Sequence, residues 1–405
     1  MTHRLVALAA AFLLARGSAA AGSRELELGL EGFYYPTEET PVNRGNVLGL
    51  DPDEGLLRVT AGWKESHGGA RFVVRGFVER SLGGTGDETS FTLRQGYAQY
   101  WWGTGVGLRA GKQRVAWGSG FVWNPTNRLE PPKNPINAGL EQEGVWAARL
   151  DVVPASWAGV ALVATRGDTN VGDLPFGATP QKQDAGALRV RFLVKDTDLA
   201  LVASGGSGRP SLWGFDLARD AGPVSLHAEG SLYRGSEIPP ARPDETFFRI
   251  ATGALRVAGD TSLALEYFYN GEGYDDAQMD AYLAGLDASY AAATDPRLPP
   301  AQQERALQAY LAGAAVPYSG GLGLRRQYLQ ASWARAHLGG EWSLTARALL
   351  GLTDGGVALT PGVGYAPRGN VTLSLDGVLL LGPKDSEYRL APVHGAVQAR
   401  LKVLF

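Results

Sequence analysis

Gly395-Ala-Val-Gln-Ala-Arg-Leu-Lys-Val-Leu-Phe405 closes the chain, and its pattern governs the reading of everything before it. Val397, Ala399, Leu401, Val403 and Phe405 fall on one face of an extended strand, while Gln398, Arg400 and Lys402 fall on the other. Leu404 is the exception. An outward Phe beside a terminal carboxylate is an odd end for a soluble edge strand. It suits a strand with one face in lipid and the other in water, its last ring lying at the interface. One strand carries little by itself, so the rest of the chain has to agree.

The 405 residues are 44% apolar and 20% charged, with a net charge of −3, which is no profile for a disordered chain or a nucleic-acid binder. There is no Cys, which excludes disulfides, thiol nucleophiles and Cys–zinc sites. Residues 1–21 read as an export signal. Arg4 precedes the apolar run Leu5 to Ala15, and Gly17-Ser18-Ala19-Ala20-Ala21 offers a cleavage site after Ala21. That run is too short to cross a bilayer, and no later stretch is apolar for long enough. A membrane-embedded form must therefore be a closed barrel, because only closure pairs every backbone polar group without a helix.

Alternating segments follow almost without a break. In the cleanest, Leu188, Val190, Phe192 and Val194 oppose Arg189, Arg191 and Lys195. In another, Leu57, Val59, Ala61 and Trp63 oppose Arg58, Thr60 and Lys64. The pattern predicts about 18 strands, with 16 as the neighbouring even count, of the length a tilted membrane strand needs. Joints alternate in length. Those at 66–69, 103–105, 154–156, 195–198, 219–222, 258–260, 339–340 and 367–370 are short. Those at 35–54, 82–89, 118–143, 167–184, 235–245, 272–323 and 382–394 are long, and only 206–210 and 353–355 depart. Turns on one rim and loops on the other predict a single all-β, antiparallel, up-and-down transmembrane barrel over 22–405. A sandwich or propeller predicts no such parity.

One long joint is helical in pattern. Met279, Leu283 and Leu286 are spaced for one helix, and Leu307, Tyr310 and Leu311 follow a start at Pro299-Pro300. Two short helices are expected in the external loop 274–322.

The alternation, the joints and the terminal Phe405 resemble bacterial outer-membrane β-barrels. That resemblance implies a Gram-negative-type outer membrane with its lipid and lipopolysaccharide, short turns in the periplasm, and Phe405 as a signal to the barrel-assembly machinery. The stretch from Gly111-Lys-Gln-Arg to Trp117-Gly, running on to Asn124-Pro-Thr, looks like a segment of uncharacterised porin-like proteins. By that resemblance, residues 118–142 are expected to fold inward as a constriction or plug. Trp117 and Trp123 would pack it, with Lys112, Arg114, Arg128 and Lys133 facing the pore.

The polar face of each strand is expected to line a lumen. Its basic candidates are Arg58, Lys64, Arg71, Arg75, Arg149, Arg189, Arg191, Lys195, Arg347, Arg400 and Lys402. Acidic candidates include Glu25, Glu27, Glu31, Glu79, Asp151, Glu229, Glu266 and Asp376. The excess of cations predicts a weak preference for anions. Catalysis finds no support. His227 shares a strand face with Ser225, Glu229 and Ser231, but alternate residues of one strand stand ~7 Å apart, too far for a base to reach its proton. No metal-site, nucleophile-elbow or phosphate-loop pattern occurs, so no cofactor is expected.

The reading is a passive porin-like channel for small polar or anionic solutes, as a monomer or homotrimer. The alternative is a closed barrel that binds surface polysaccharide or attaches to the cell envelope. It would use loop aromatics such as Tyr34, Tyr35, Trp123, Tyr274 and Tyr310.

Overall fold

The computed structural model describes residues 22–50, 53–82, 89–130, 142–166, 168–169, 181–182, 184–207, 209–319, 323–393 and 395–405. The expected export signal and Lys133 lie outside these residues.

The strands, in chain order, are β1 (Gly22–Pro36), β2 (Asp53–His67), β3 (Ala70–Leu82), β4 (Thr89–Trp102), β5 (Val106–Gln113), β6 (Val145–Ala155) and β7 (Ala158–Thr165). The two-residue strands β8 (Asp168–Thr169) and β9 (Gln181–Lys182) pair only with each other. Then come β10 (Ala185–Val194), β11 (Thr197–Gly206), β12 (Arg209–Ala221), β13 (Val224–Arg234), β14 (Thr246–Ala258) and β15 (Thr261–Asn270). The last are β16 (Gln327–Leu338), β17 (Trp342–Gly351), β18 (Val357–Arg368), β19 (Val371–Leu381) and β20 (Gly395–Leu404). All except β8 and β9 join one 18-stranded sheet. Each is antiparallel to its neighbours, β7 pairs with β10 across the β8–β9 ribbon, and β1 pairs with both β2 and β20, so the barrel is closed.

The C-terminal strand closes it in the expected orientation. Arg400 stands opposite Glu31 and Lys402 opposite Gly29, on the same inward face. Opposite residues of an antiparallel pair share a face, so the register carries the inside–outside assignment around the ring. The outer face is apolar: Val59, Leu162, Leu201, Leu232, Leu265 and Leu375 are all exposed. At the short-turn rim, Phe72, Tyr100, Trp102, Trp157, Trp342 and Phe405 are exposed. At the other rim Tyr34, Phe91, Trp146, Trp213 and Phe248 are exposed. Along β4, Phe91 to Tyr100 is about 30 Å of strand, which a tilt of ~40° reduces to the ~25 Å height of a lipid-facing band.

In β4 the partners of Arg75 and Gly76 are Gln95 and Leu93, leaving Arg94 as the extra residue of a bulge. The bulge reverses the strand's parity, so Phe91 before it and Tyr100 after it both face outward.

The long-loop rim carries the helices α1 (Asp276–Thr294) and α2 (Pro300–Ala314), longer than the short helices expected. Asp275 caps α1 through the amide of Gln278, whose side chain accepts from the Asp275 amide. Met279, Leu286 and Tyr310 bury themselves with Val42, Ile238 and Leu390 from three other loops. The rim is a packed cap with its own apolar core. No described helix is long and apolar enough to cross a membrane.

Candidate functional site

The expected strand 105–117 ends early, at Gln113. There the chain leaves the wall and turns inward. Glu130, 2% exposed, ties the neck of the loop. It accepts from the Val115 amide, from Arg114 Nε at 2.8 Å and from Asn127 Nδ2 at 3.3 Å. Val115, Trp117 and Leu129 pack on Val145, Ala161, Val163, Ala187 and Val202, the wall beside the exit point.

The tip of the loop crosses to the far wall. The amides of Phe121, Val122 (2.9 Å) and Trp123 (3.0 Å) donate to the Glu266 carboxylate on β15. Thr126 donates to Glu229 on β13 from its amide (2.8 Å) and its hydroxyl (2.6 Å), and Asn124 Nδ2 adds a bond of 3.0 Å. Both carboxylates are 0% exposed. Hydrogen bonds to a charged acceptor are the strong class, and here two carboxylates gather five backbone amides, that of Gly120 included, from a loop with no regular secondary structure. Trp123 stacks on Phe268 with centroids 5.0 Å apart and joins Val122, Tyr328, Leu349 and Leu380 in an apolar cluster.

Two glycines make room for this clamp. Gly118 has φ +91°, and a Cβ there would lie 2.4 Å from a Glu229 oxygen. Gly253 on β14 lies opposite both His227 and Glu266. With no side chain between them, His227 Nε2 meets Glu266 Oε2 at 2.9 Å across three strands. Phe121 rests its edge on the His227 ring at 4.4 Å. His227 is thus a support of the clamp, while Ser225 bonds Asp220 at the rim.

The loop cations are engaged by carboxylates. Lys112 pairs with Glu143, Arg114 with Glu130, and Arg128 with Glu237 over the Tyr233 ring. Their charge is largely spent within the loop and its anchors.

The inner wall carries the expected lumen cations, most of them in ion pairs. Arg58, 4% exposed, binds Glu79 at 2.6 and 2.9 Å and Glu31 at 3.4 Å. Its guanidinium lies 5.1 Å from the Phe33 ring centre and 4.3 Å from that of Phe77. Arg75 and Lys402 share Glu27, and Arg400 reaches Glu31 at 3.4 Å. Lys64 is half-buried opposite Glu25 in register, and Arg71 stands opposite Gln99. Arg149 pairs with Asp151, Arg189 with Asp216 and Arg191 with Asp198, while Arg347 lies between Ser332 and Thr360.

Lys195 is a correction. It occupies the turn after β10 with φ +54° and is exposed, so it does not line the lumen. The alternation ran one residue past the strand end because Lys195 falls on the next periodic position. Two inward arginines were not anticipated. Arg94 is the bulge residue, 2% exposed over Phe77, and Arg109 on β5 bonds Gln99 and lies over Tyr97. Cations outnumber carboxylates on the described inner face.

Above the barrel, Glu387 ties the 382–394 loop to the chain entering β16. It accepts from the amides of Leu324 (2.8 Å) and Arg325 (3.1 Å) and from the Tyr328 hydroxyl. Burial pushes its pKa up to about 7, and the neighbouring Asp354 adds to the rise. The folded state therefore binds this proton more tightly than the unfolded chain. The contribution to stability is full below pH ~4.5 and is lost as pH rises to about 7. Glu387→Gln is expected to flatten the thermal-unfolding midpoint across that window, as followed by heat-modifiable gel mobility. An unchanged pH slope would show that other groups set it.

Trp123, Tyr274 and Tyr310 are buried in these cores, so they offer no stacking face to a surface sugar.

No protein-family model matches the chain, and no curated protein matches it. Solved structures do resemble it. Pseudomonas aeruginosa OprD is 11% identical, with 95% of this chain and 94% of that one aligned at a TM-score of 0.52. Acinetobacter baumannii OccAB1 is 9% identical over 97% and 98% of the two chains, with a TM-score of 0.58. P. aeruginosa OpdK, solved with vanillate, is 10% identical over 95% and 98%, with a TM-score of 0.55. The chain is similar to these proteins along nearly its whole length, and it shares their fold, a closed antiparallel β-barrel.

Proposed function

We propose that this protein is an outer-membrane channel for passive diffusion of small polar and anionic solutes. It acts without a cofactor and without catalysing a reaction. The observation that carries this reading is the 114–130 loop, held across the barrel by Glu229 and Glu266 opposite a wall rich in arginine. Such a loop narrows the lumen, and the excess of guanidinium groups favours anions in the passage that remains. The likeness to OpdK, whose structure holds the carboxylate vanillate, supports small organic carboxylates as one solute class. Export through the 1–21 signal, insertion through Phe405 and the barrel-assembly machinery, lipopolysaccharide around the long-loop rim, and a monomeric or homotrimeric state complete the reading.

Proteoliposome swelling tests it. Sodium salts of small aromatic carboxylates should enter faster than neutral sugars of similar size. Equal rates would remove the anionic preference, and no swelling by any solute would remove the channel.

A further inference from the structure

The outer wall carries three arginines that the channel does not use. Arg219 on β12, Arg256 on β14 and Arg335 on β16 are exposed, and no ion pair joins them to any described residue. Their register neighbours show that they face outward. Arg219 stands opposite Leu226, Arg256 opposite Leu263, and Arg335 opposite Leu344, all three of which are exposed leucines of the apolar face.

They also share a level. Across two strands from Arg219, the paired residue on β14 is Ala254, and Arg256 lies two positions further toward the short turns. Across two strands from Arg256 the paired residue on β16 is Trp333, and Arg335 again lies two positions further. A constant offset of this kind is what strand tilt requires for side chains at one height. The arginines form a belt near the short-turn rim, with neighbours ~12 Å apart by strand spacing and the two-residue offset. Trp342 and Tyr365, with ring centres 4.6 Å apart, continue that rim. Acidic groups in the adjoining turns are Asp220, Asp260 and Glu341; Asp220 is bonded to Ser225.

A groove of about 590 Å³ begins at this belt. Arg256 lines it together with the small residues Ala254, Ala331 and Ala346 and the larger Leu263, Leu265 and Trp333. A cationic mouth opening on an apolar channel at membrane depth complements one type of molecule: a lipid with a negatively charged headgroup. Arginine suits its phosphate because the guanidinium fork matches two oxygens at once.

We infer that this face is a binding site for an anionic glycerophospholipid of the periplasmic leaflet. Its phosphate lies between Arg256 and Arg335, Arg219 extends the belt, and one acyl chain fills the groove. The assignment to that leaflet rests on the orientation proposed above.

The test is native mass spectrometry of the full barrel released from micelles doped equally with phosphatidylglycerol and phosphatidylethanolamine. The wild type should retain phosphatidylglycerol preferentially. Each arginine replaced by glutamine, in R219Q, R256Q and R335Q, should lower that retention about fivefold. Ala331→Trp, which fills the groove with the arginines intact, should lower it as well. Arg297→Gln, in the exposed turn between α1 and α2, should leave it unchanged. A wild type without preference, or a triple variant that keeps it, overturns the inference. An oligomer that dissolves in the triple variant would assign the groove to a second copy of the chain and overturn it too. Conductance does not enter the readout, so failure of the channel reading and failure of the lipid site are separable.

Discussion

Replacing Glu266 by alanine is expected to widen the passage: single-channel conductance should rise severalfold while the barrel stays folded. Glu266 accepts the amides of Phe121, Val122 and Trp123 and the ring nitrogen of His227. Hydrogen bonds to a charged group contribute about 1.5–3 kcal/mol each, so their joint loss amounts to several kcal/mol. The share carried by the three amides falls on the loop, while the lost His227 contact lies within the wall, whose strand pairing between β14, β15 and β16 does not involve the Glu266 side chain. The Trp123–Phe268 stack and Glu229 remain as anchors, so Glu229→Ala added to Glu266→Ala should enlarge the effect. Glu266→Gln keeps an acceptor without the charge and should fall between. Wild-type conductance in the double variant, with heat-modifiable mobility retained, would show that the loop does not limit the passage.

Arg58→Ala should have the largest effect on stability, about 3–5 kcal/mol, the loss expected when one partner of a buried ion pair is removed. Arg58 is 4% exposed and bridges Glu31 and Glu79 from adjacent strands. Its removal leaves those carboxylates facing each other between Phe33 and Phe77, with Arg400 still reaching Glu31. The same change moves lumen charge toward the negative, so the reversal potential in a salt gradient should shift toward cations. The urea midpoint of the refolded barrel reads the first effect and planar-bilayer recording the second. Loss of stability without a shift in selectivity would place Arg58 in the wall but outside the ion path.

The barrel was legible because its determinants are local. Residues 187–194 show both faces of their strand in plain alternation, and joint length needs only the next segment to be measured. The β4 bulge was hidden, since an extra residue at Arg94 leaves two locally valid alternations that no single window joins. Lys195 shows the converse: it fits the period and yet occupies a turn, because periodicity does not mark where pairing stops. The loop's inward path was suggested by its resemblance, with its tryptophans expected to pack it. Its anchors were not, because Glu266 and Glu229 lie 143 and 103 positions from amides they bind. Both appeared in the sequence only as luminal acids, and nothing near them distinguishes a clamp from a wall charge. Gly253 is similar, since its importance lies in the side chain it lacks between His227 and Glu266.

Single-channel recording of the refolded wild-type protein in a planar bilayer, under a salt gradient, tests the central claim most directly. An aqueous lumen narrowed by the 114–130 loop and lined by excess arginine predicts stable conductance steps with a reversal potential on the anion side. A folded, heat-modifiable barrel with no steps, or with a clear cation preference, would contradict it.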